Sequence, residues 1–531
     1  MTYDYVIIGA GSAGCVLANR LSADPSKRVL LLEAGPGDWH PFIHMPAGIA
    51  KLIGQKGVNW NYTTEPEAQL ENRRLWWPRG KVLGGSSSIN AMCYIRGVAA
   101  DYDEWAALGN PRWGWNDVLP YFKRAEGNTR GGDALHGGDG PLGVQDLTYH
   151  NPLSQTFLDA AAASDFALNN DFNGATQEGF GFYQVTQRNS ARCSTAQGYL
   201  RPVRGRTNLT VRTSAITQRV LIESGRAVGV DYRHHGRLKR AEAREVLLCG
   251  GAINSPHLLM LSGVGPADEL RKHDIRVKHA LPGVGENLQD HLDICTIDRC
   301  TQPITYDQIS DISTAWNYYL KRRGPGTSNV AEAGGFVRTR LAADERCDMQ
   351  FHFVPAILDD HGRHRLPGYG YTMHACALHP HSRGAIRLHS ANPAAAAAIH
   401  ANYLSDADGH DLAMLVEGVK LSRRIFSAAA FSPYRGGEIF PGSTVQSDAE
   451  IEAFIRRKAE TIYHPIGTCK MGNDDQSVVD AELRVHGVSG LRVIDASVMP
   501  MLPTGNTNAP TIMIAEKASD LIAGRVNASV D

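Results

Sequence analysis

Gly9, Gly11 and Gly14 stand between an apolar run at residues 5–8 and a helix-forming stretch, and Glu33 closes the next apolar run at 29–32. A chain that begins this way is constrained to one local fold, a strand–turn–helix–strand unit whose turn lies at the ends of parallel strands. The glycine spacing alone is weak evidence, because the chain holds 54 glycines and the same spacing recurs at Gly138, Gly140 and Gly143. No strand precedes that second copy and no helix follows it, so it reads as a turn. At the first copy Gly9 permits a tight turn, Gly11 lets backbone N–H groups approach a diphosphate, and Gly14 lets the helix pack closely on the strand. The helix repeats its apolar face through Ala13, Leu17 and Leu21, and its N-terminus offers a partial positive charge. Glu33 can accept hydrogen bonds from both ribose hydroxyls. The unit predicts an adenine dinucleotide and leaves FAD and NAD equally open.

A length of 531 residues suggests two domains, and 43% apolar residues suit a globular protein able to bury a large cofactor. Lys plus Arg number 54 against 55 Asp plus Glu, so no global field exists to hold nucleic acid. The local basic runs at 321–323 and 456–458 read as solvated faces in preference to contacts with anionic lipid. The first strand begins by Asp4, which leaves no room ahead of it for a signal peptide, and no stretch reaches the roughly 18 apolar residues of a membrane span. A cytoplasmic location is therefore expected, with peripheral attachment to the inner membrane left open. Nine cysteines without a C-x-x-C pair argue for reduced thiols, and the 21 histidines lack the partner spacing of a metal site.

Two later runs, 245–251 and 491–495, read as further strands of the same buried sheet, which makes the nucleotide-binding domain discontinuous. Residues near 298–461 change to alternating patterns, as at 348–354 and 384–389, that suggest a sheet half covered by helices. The expected division is 1–148, 190–297 and 462–531 for the cofactor domain, with 149–189 and 298–461 for the substrate domain. Between the strands lie two segments that could carry chemistry. Residues 79–97 combine the Gly84–Gly85 turn with three serines and Asn90, which brings unhindered backbone and small donors against a flat ring or a phosphate. Residues 251–265 run from a glycine-ended strand into a helix with Pro256 near its first turn and glycines at its end.

Both segments resemble the two signature stretches of the glucose–methanol–choline (GMC) family of FAD-dependent oxidoreductases, and the likeness extends from the glycine turn to residues 508–514. The resemblance implies an α/β fold: a Rossmann-like FAD-binding domain with a discontinuous α+β substrate-binding domain on an antiparallel sheet. It selects FAD over NAD and implies cofactor contacts at Gly9, Gly11, Ser12, Ala13, Gly14, Glu33, Ala34, Gly84, Gly85, Ser86, Asn90, Ala91, Gly250, Asp495, Ala496, Asn508 and Thr511. In choline oxidases a histidine one residue before the signature asparagine ties FAD covalently to the protein. Ile89 occupies that place here, so the flavin is expected to bind non-covalently.

The resemblance also assigns His464 as the active-site histidine and puts Asn508 at the partner position of a His/Asn pair. Alcohol oxidation needs a group to take the hydroxyl proton as a hydride leaves the same carbon, and a neutral imidazole with a pKa of about 6.5 suits that task. The terminal helix that starts at Pro510 would direct its positive end at the reduced flavin ring. Cys469 matches a structural position. Trp60, Glu332, His352 and Tyr463 fall on the substrate side. In choline-oxidising relatives an aromatic face and a carboxylate hold the trimethylammonium group; Glu332 fits that role but also occurs in aliphatic-alcohol relatives.

Residues 40–46 and 354–362 resemble the aliphatic branch more than choline dehydrogenase. The expectation is oxidation of primary, apolar alcohols to aldehydes with electrons passed to a quinone-like acceptor. Choline dehydrogenase and a peroxide-forming alcohol oxidase are the alternatives. A lyase on the same fold is a further class, against which the His/Asn pair speaks.

Overall fold

The computed structural model describes residues 2–364 and 366–525. The first sheet uses β1 (Tyr3–Ile8), β2 (Val29–Leu32), β3 (Leu209–Arg212), β4 (Ala215–Glu223), β5 (Arg226–His234) and β6 (Arg237–Leu248) in the order β3-β2-β1-β6-β5-β4, with Leu491–Val493 also paired to β6. β3, β2, β1, β6 and Leu491–Val493 run parallel, while β4, β5 and β6 form an antiparallel meander. All four residues of β2 and the last three of β6 are buried. Strands covered on both faces need such unbroken apolar runs, which is why 29–32 and 245–251 were readable. The parallel strands end side by side: Ile8, Leu32, Leu248 and, just beyond Val493, Asp495 all reach one cavity.

α1 (Ser12–Leu21) leaves the turn after β1 and buries Val16, Leu17 and Leu21. α2 (Gly251–Leu261) leaves the end of β6 and contains Pro256 in its interior. A proline there removes the donor for the carbonyl four residues back. That carbonyl, on Ala252, instead accepts from the Thr468 hydroxyl at 2.6 Å, which ties the helix to the segment after His464.

The second sheet is antiparallel, in the order Arg435–Phe440, Leu292–Cys300, Gly370–Ala377, Met349–Val354, Ala333–Val337, Gly179–Phe182, with Glu460–Thr461 paired to the start of Leu292–Cys300. Alternation along Met349–Val354 divides its faces. Phe351 and Phe353 point to helix Pro152–Ala163 and an aromatic cluster, where Phe353 stacks on Phe157 with centroids 4.7 Å apart. His352 and Val354 line the cavity, and cross-strand His374 joins them.

Two expectations change. Strand Leu292–Cys300 straddles the expected division at 297/298 and pairs within the second sheet along its length, because its buried residues face that sheet's core. Ala385–Leu388, expected in the same sheet, forms a separate ribbon with Ala397–His400.

Candidate active site

A cavity of about 740 Å³ runs from the ends of the parallel strands to the inner face of the second sheet. At its first end Gly9 has φ +97°, and a Cβ there would meet the Cys249 carbonyl oxygen at 2.4 Å. Gly85, with φ +54°, comes so close to Gly11 that a Cβ would lie 2.7 Å from the Gly11 Cα. Two glycine turns from distant segments thus form one bare backbone wall. No side chain caps α1, so the N–H groups of its first turn stay free for an anion. Glu33 is buried and accepts from the backbone N–H of Ala10 at 2.9 Å and of Gly35 at 2.8 Å. Burial outweighs those bonds and raises its pKa to about 7.

Ser12, Ala13, Ala34, Ser86, Asn90, Ala91, Gly250, Ala496, Asn508 and Thr511 line the same cavity with Gly9, Gly11, Glu33, Gly85 and Asp495. Gly14 and Gly84 stand behind the wall. A Cβ on Gly14 would lie 1.8 Å from the Gly9 carbonyl oxygen, and the Gly84 N–H donates to Ala10 at 2.7 Å. Their part is to hold the turns together. Asp495 is spent on protein donors: Gly251 N at 2.8 Å and Ser255 Oγ at 2.6 Å on one oxygen, Ser497 N at 2.8 Å on the other. The surfaces an adenine dinucleotide needs are present: a bare glycine cradle, an uncapped helix N-terminus and a carboxylate at the end of β2.

At the other end His464 is buried, and its ring meets two partners. Nδ1 lies 2.9 Å from Nδ1 of His291, and Nε2 lies 3.1 Å from the Asn506 amide nitrogen. His291 Nε2 lies 3.0 Å from the Leu378 carbonyl, which can only accept. Neutral His291 therefore carries its proton on Nε2 and accepts through Nδ1, so His464 must donate from its own Nδ1. That leaves His464 Nε2 unprotonated, an acceptor that the Asn506 amide N–H meets at 3.1 Å. Gln350 Nε2 donates to Asn506 Oδ1 at 3.0 Å, which turns the Asn506 amide nitrogen towards His464. Burial holds His291 neutral, with a pKa lowered to about 3. The His464 pKa also lies well below the usual imidazole value, first through burial and then through His291, His352 and Arg79.

The pairing of histidines follows from strand register. Gln289 and Ile466 form an antiparallel bridge, which sets His291 opposite His464. Buried Asp290 accepts from the His464 backbone N–H at 2.7 Å and from Thr461 Oγ1 at 2.5 Å. Tyr463 lines the cavity with φ +72°, a left-handed conformation that costs a bulky residue energy, and its carbonyl accepts from Arg79 at 2.7 Å.

Two sequence-derived placements are corrected. The carboxamide beside His464 is that of Asn506, not Asn508: beyond α3 (Asp311–Lys321), near the end of the chain, Asn508 opens helix α4 (Asn508–Ile522) with its Oδ1 accepting from Ser12 at 2.7 Å. Two asparagines so close in sequence diverge because one precedes the helix and the other belongs to it. Glu332 does not reach the cavity. It is fully buried and accepts from Asn151 N at 2.7 Å, Ser154 Oγ at 2.7 Å, Ser328 Oγ at 2.6 Å and the Tyr306 hydroxyl. Asp293, Cys295 and His374, which no sequence spacing links, come together in space. Their polar atoms engage one another, with His374 Nδ1 2.6 Å from Asp293 and 3.2 Å from the Cys295 sulfur.

Trp60 and His352 do line the cavity. Trp60 stacks on Tyr62 with centroids 5.7 Å apart and carries the Lys81 ammonium 4.5 Å from its ring centre. His352 Nε2 lies 3.2 Å from the Gln350 amide nitrogen, while its buried Nδ1 has no partner among the described residues. Asn506, His291, Asp290 and Gln350 were the functional residues that sequence reasoning missed. Only Asn506 carried a signal, its place in the 505–508 run.

A dinucleotide cradle opening onto a buried, unprotonated imidazole nitrogen defines an oxidoreductase site. Models of the GMC oxidoreductase family match residues 3–293 and 380–515. The chain is similar to an alcohol dehydrogenase [acceptor] of Pseudomonas putida, 52% identical across 100% of this chain and 97% of that one. It is 48% identical to the mitochondrial choline dehydrogenase of Mus musculus, across 98% of this chain and 89% of that one. Among solved structures, the pyridoxine 4-oxidase from Mesorbium loti superposes with a TM-score of 0.89 at 32% identity, covering 98% of this chain and 99% of that chain. The protein belongs to the GMC oxidoreductase family.

Proposed function

We propose that this protein is an FAD-dependent alcohol dehydrogenase that oxidises primary, apolar alcohols to aldehydes and passes the electrons to a quinone-like acceptor. The observation that carries the reading is the unprotonated Nε2 of His464 at the cavity, held in that tautomer by His291 and paired with the Asn506 amide. The first end of the cavity would hold FAD, with the diphosphate at Gly11, Gly85 and the α1 N-terminus and the ribose at Glu33. With Ile89 in place of the attachment histidine, binding is non-covalent. When bound, FAD supplies the two-electron acceptor for the carbon-bound hydrogen.

His464 Nε2 takes the hydroxyl proton and becomes an imidazolium whose Nδ1–H still donates to His291. The alcohol hydroxyl replaces the Asn506 amide on Nε2, and that amide, kept in orientation by Gln350, donates to the alcohol oxygen instead as negative charge grows there. His352 Nδ1 is a second unspent group on the same wall. Residues 149–189 and 292–461 form the substrate lobe in this reading, the remainder the FAD lobe.

Two features favour an apolar alcohol over choline. Glu332 is committed to protein donors, and the Trp60 ring already carries the Lys81 cation, which repels a second one, so neither offers a seat for trimethylammonium. Purified enzyme given a panel of alcohols with an artificial acceptor should turn over hexanol or benzyl alcohol faster than choline. The reverse ranking would overturn the substrate assignment, and peroxide formation outpacing dye reduction would overturn the acceptor.

A further inference from the structure

α3 (Asp311–Lys321) is an amphipathic helix turned inside out. Its buried residues are Thr314 and Tyr318. Its outward face carries Ile312, Trp316, Tyr319 and Leu320, which are 83%, 64%, 43% and 62% exposed. The spacing of four, three and one residues places all four on one helical face. Of the eight large apolar side chains exposed among the described residues, half stand on this single helix of 11 residues. Lys321, Arg322 and Arg323 follow at once, all exposed, and no acidic residue occurs from Ile312 to Gly324. Asp311, at the helix start, is neutralised by Lys51 at 2.8 Å.

Exposing this much apolar surface to water is costly, and a monomer does so where a partner covers it. Trp and Tyr beside aliphatic residues, with a cationic flank, suit the boundary between lipid headgroups and acyl chains. The same helix is joined to the cavity wall through its buried face. Tyr318 donates to the His44 carbonyl at 2.6 Å, and Lys51 lies within the segment whose Ile49, Ala50 and Ile53 line the cavity. Ala50 is also exposed, so the cavity reaches the surface beside this segment.

We propose that α3 docks on an anionic lipid bilayer, with Ile312, Trp316, Tyr319 and Leu320 in the boundary layer and Lys321 and Arg323 on acidic headgroups. Docking brings the Ile49–Ile53 wall to the bilayer, the phase in which apolar alcohols and quinones concentrate. That consequence rests on the alcohol dehydrogenase reading; the docking itself does not.

Sedimentation of the holoenzyme with vesicles of phosphatidylcholine, alone or mixed with phosphatidylglycerol, tests it. The wild type should sediment with the mixed vesicles and bind the neutral ones weakly. Lys321→Gln with Arg323→Gln should weaken binding to mixed vesicles by about 25-fold, about fivefold per charge. Trp316→Ser with Leu320→Ser should abolish sedimentation, while flavin content and turnover of a water-soluble alcohol with a soluble dye stay unchanged in both variants. A wild type that stays in solution with anionic vesicles, or binding that ignores both pairs of substitutions, overturns the proposal. So does a solution dimer that Trp316→Ser dissociates, because the face would then belong to a second copy. Failure of alcohol turnover in the same wild-type sample would overturn the functional reading and leave the sedimentation result standing.

Discussion

The two ends of the cavity are built on different plans. At the dinucleotide end the working parts are backbone and near neighbours: Gly9, Gly11 and Gly14 in one turn, Glu33 at the end of the adjacent strand, with Gly85 and the Cys249 carbonyl approaching closely from elsewhere. At the reacting end no two key groups are sequence neighbours of that kind. His291, Gln350, His464 and Asn506 come from four separate segments and meet through side-chain hydrogen bonds. The first end is vulnerable to an added atom at Gly9, Gly14 or Gly85, the second to a lost hydrogen bond.

This difference can be broken experimentally. The largest expected effect separates binding from chemistry. His464→Ala should keep its flavin and slow flavin reduction by about 10²–10⁴-fold, the usual worth of a general base. Gly14→Ala should do the opposite, losing flavin and stability, because the added Cβ meets the Gly9 backbone and such overpacking costs about 1–3 kcal/mol. Flavin content and anaerobic reduction measured on both variants would check the contrast, and a His464→Ala enzyme of full activity would remove it.

A smaller effect sharpens the choice between the two asparagines. Asn506→Ala should lower the reduction rate by about tenfold, the worth of one hydrogen bond to a developing charge. Asn508→Ala should disturb flavin affinity instead, since its partner is Ser12 at the head of α1. Reduction rates that follow Asn508 would restore the pairing expected from sequence.

The smallest effect concerns pH. An ordinary imidazole with a pKa of about 6.5 loses half its basic form at that pH. Burial depresses the His464 pKa, so its neutral form persists as pH falls through this range, and activity is lost only at lower pH. Anaerobic reduction rates should therefore change by less than about twofold between pH 8 and 6. A titration centred near 6.5 would show that the imidazole is solvated in the working enzyme.

Legibility followed the same divide. The glycine turn, Val29–Leu32 and the strand ending at Leu248 were readable because each is a local run whose periodicity or bare backbone has one geometrical use. His464 was reached through family likeness, and its true partner was missed by two positions. Nothing in a run such as 505–508 says where a helix begins to the nearest residue, and that boundary decides which amide faces the imidazole. Glu332 was misplaced because burial is a property of the packed protein: four donors from Asn151, Ser154, Tyr306 and Ser328 surround its carboxylate.

The amino-acid order by itself determined the dinucleotide cradle, the buried parallel strands and the absence of an attachment histidine at Ile89, since each depends on residues within a few positions of one another. Tertiary structure alone decided the proton's place on His464, the choice of Asn506 and the outward turn of the apolar face of α3. Those outcomes depend on which distant groups are brought within hydrogen-bond reach and on which helical face finds a neighbour, and pairings between remote segments leave no periodic trace in the chain.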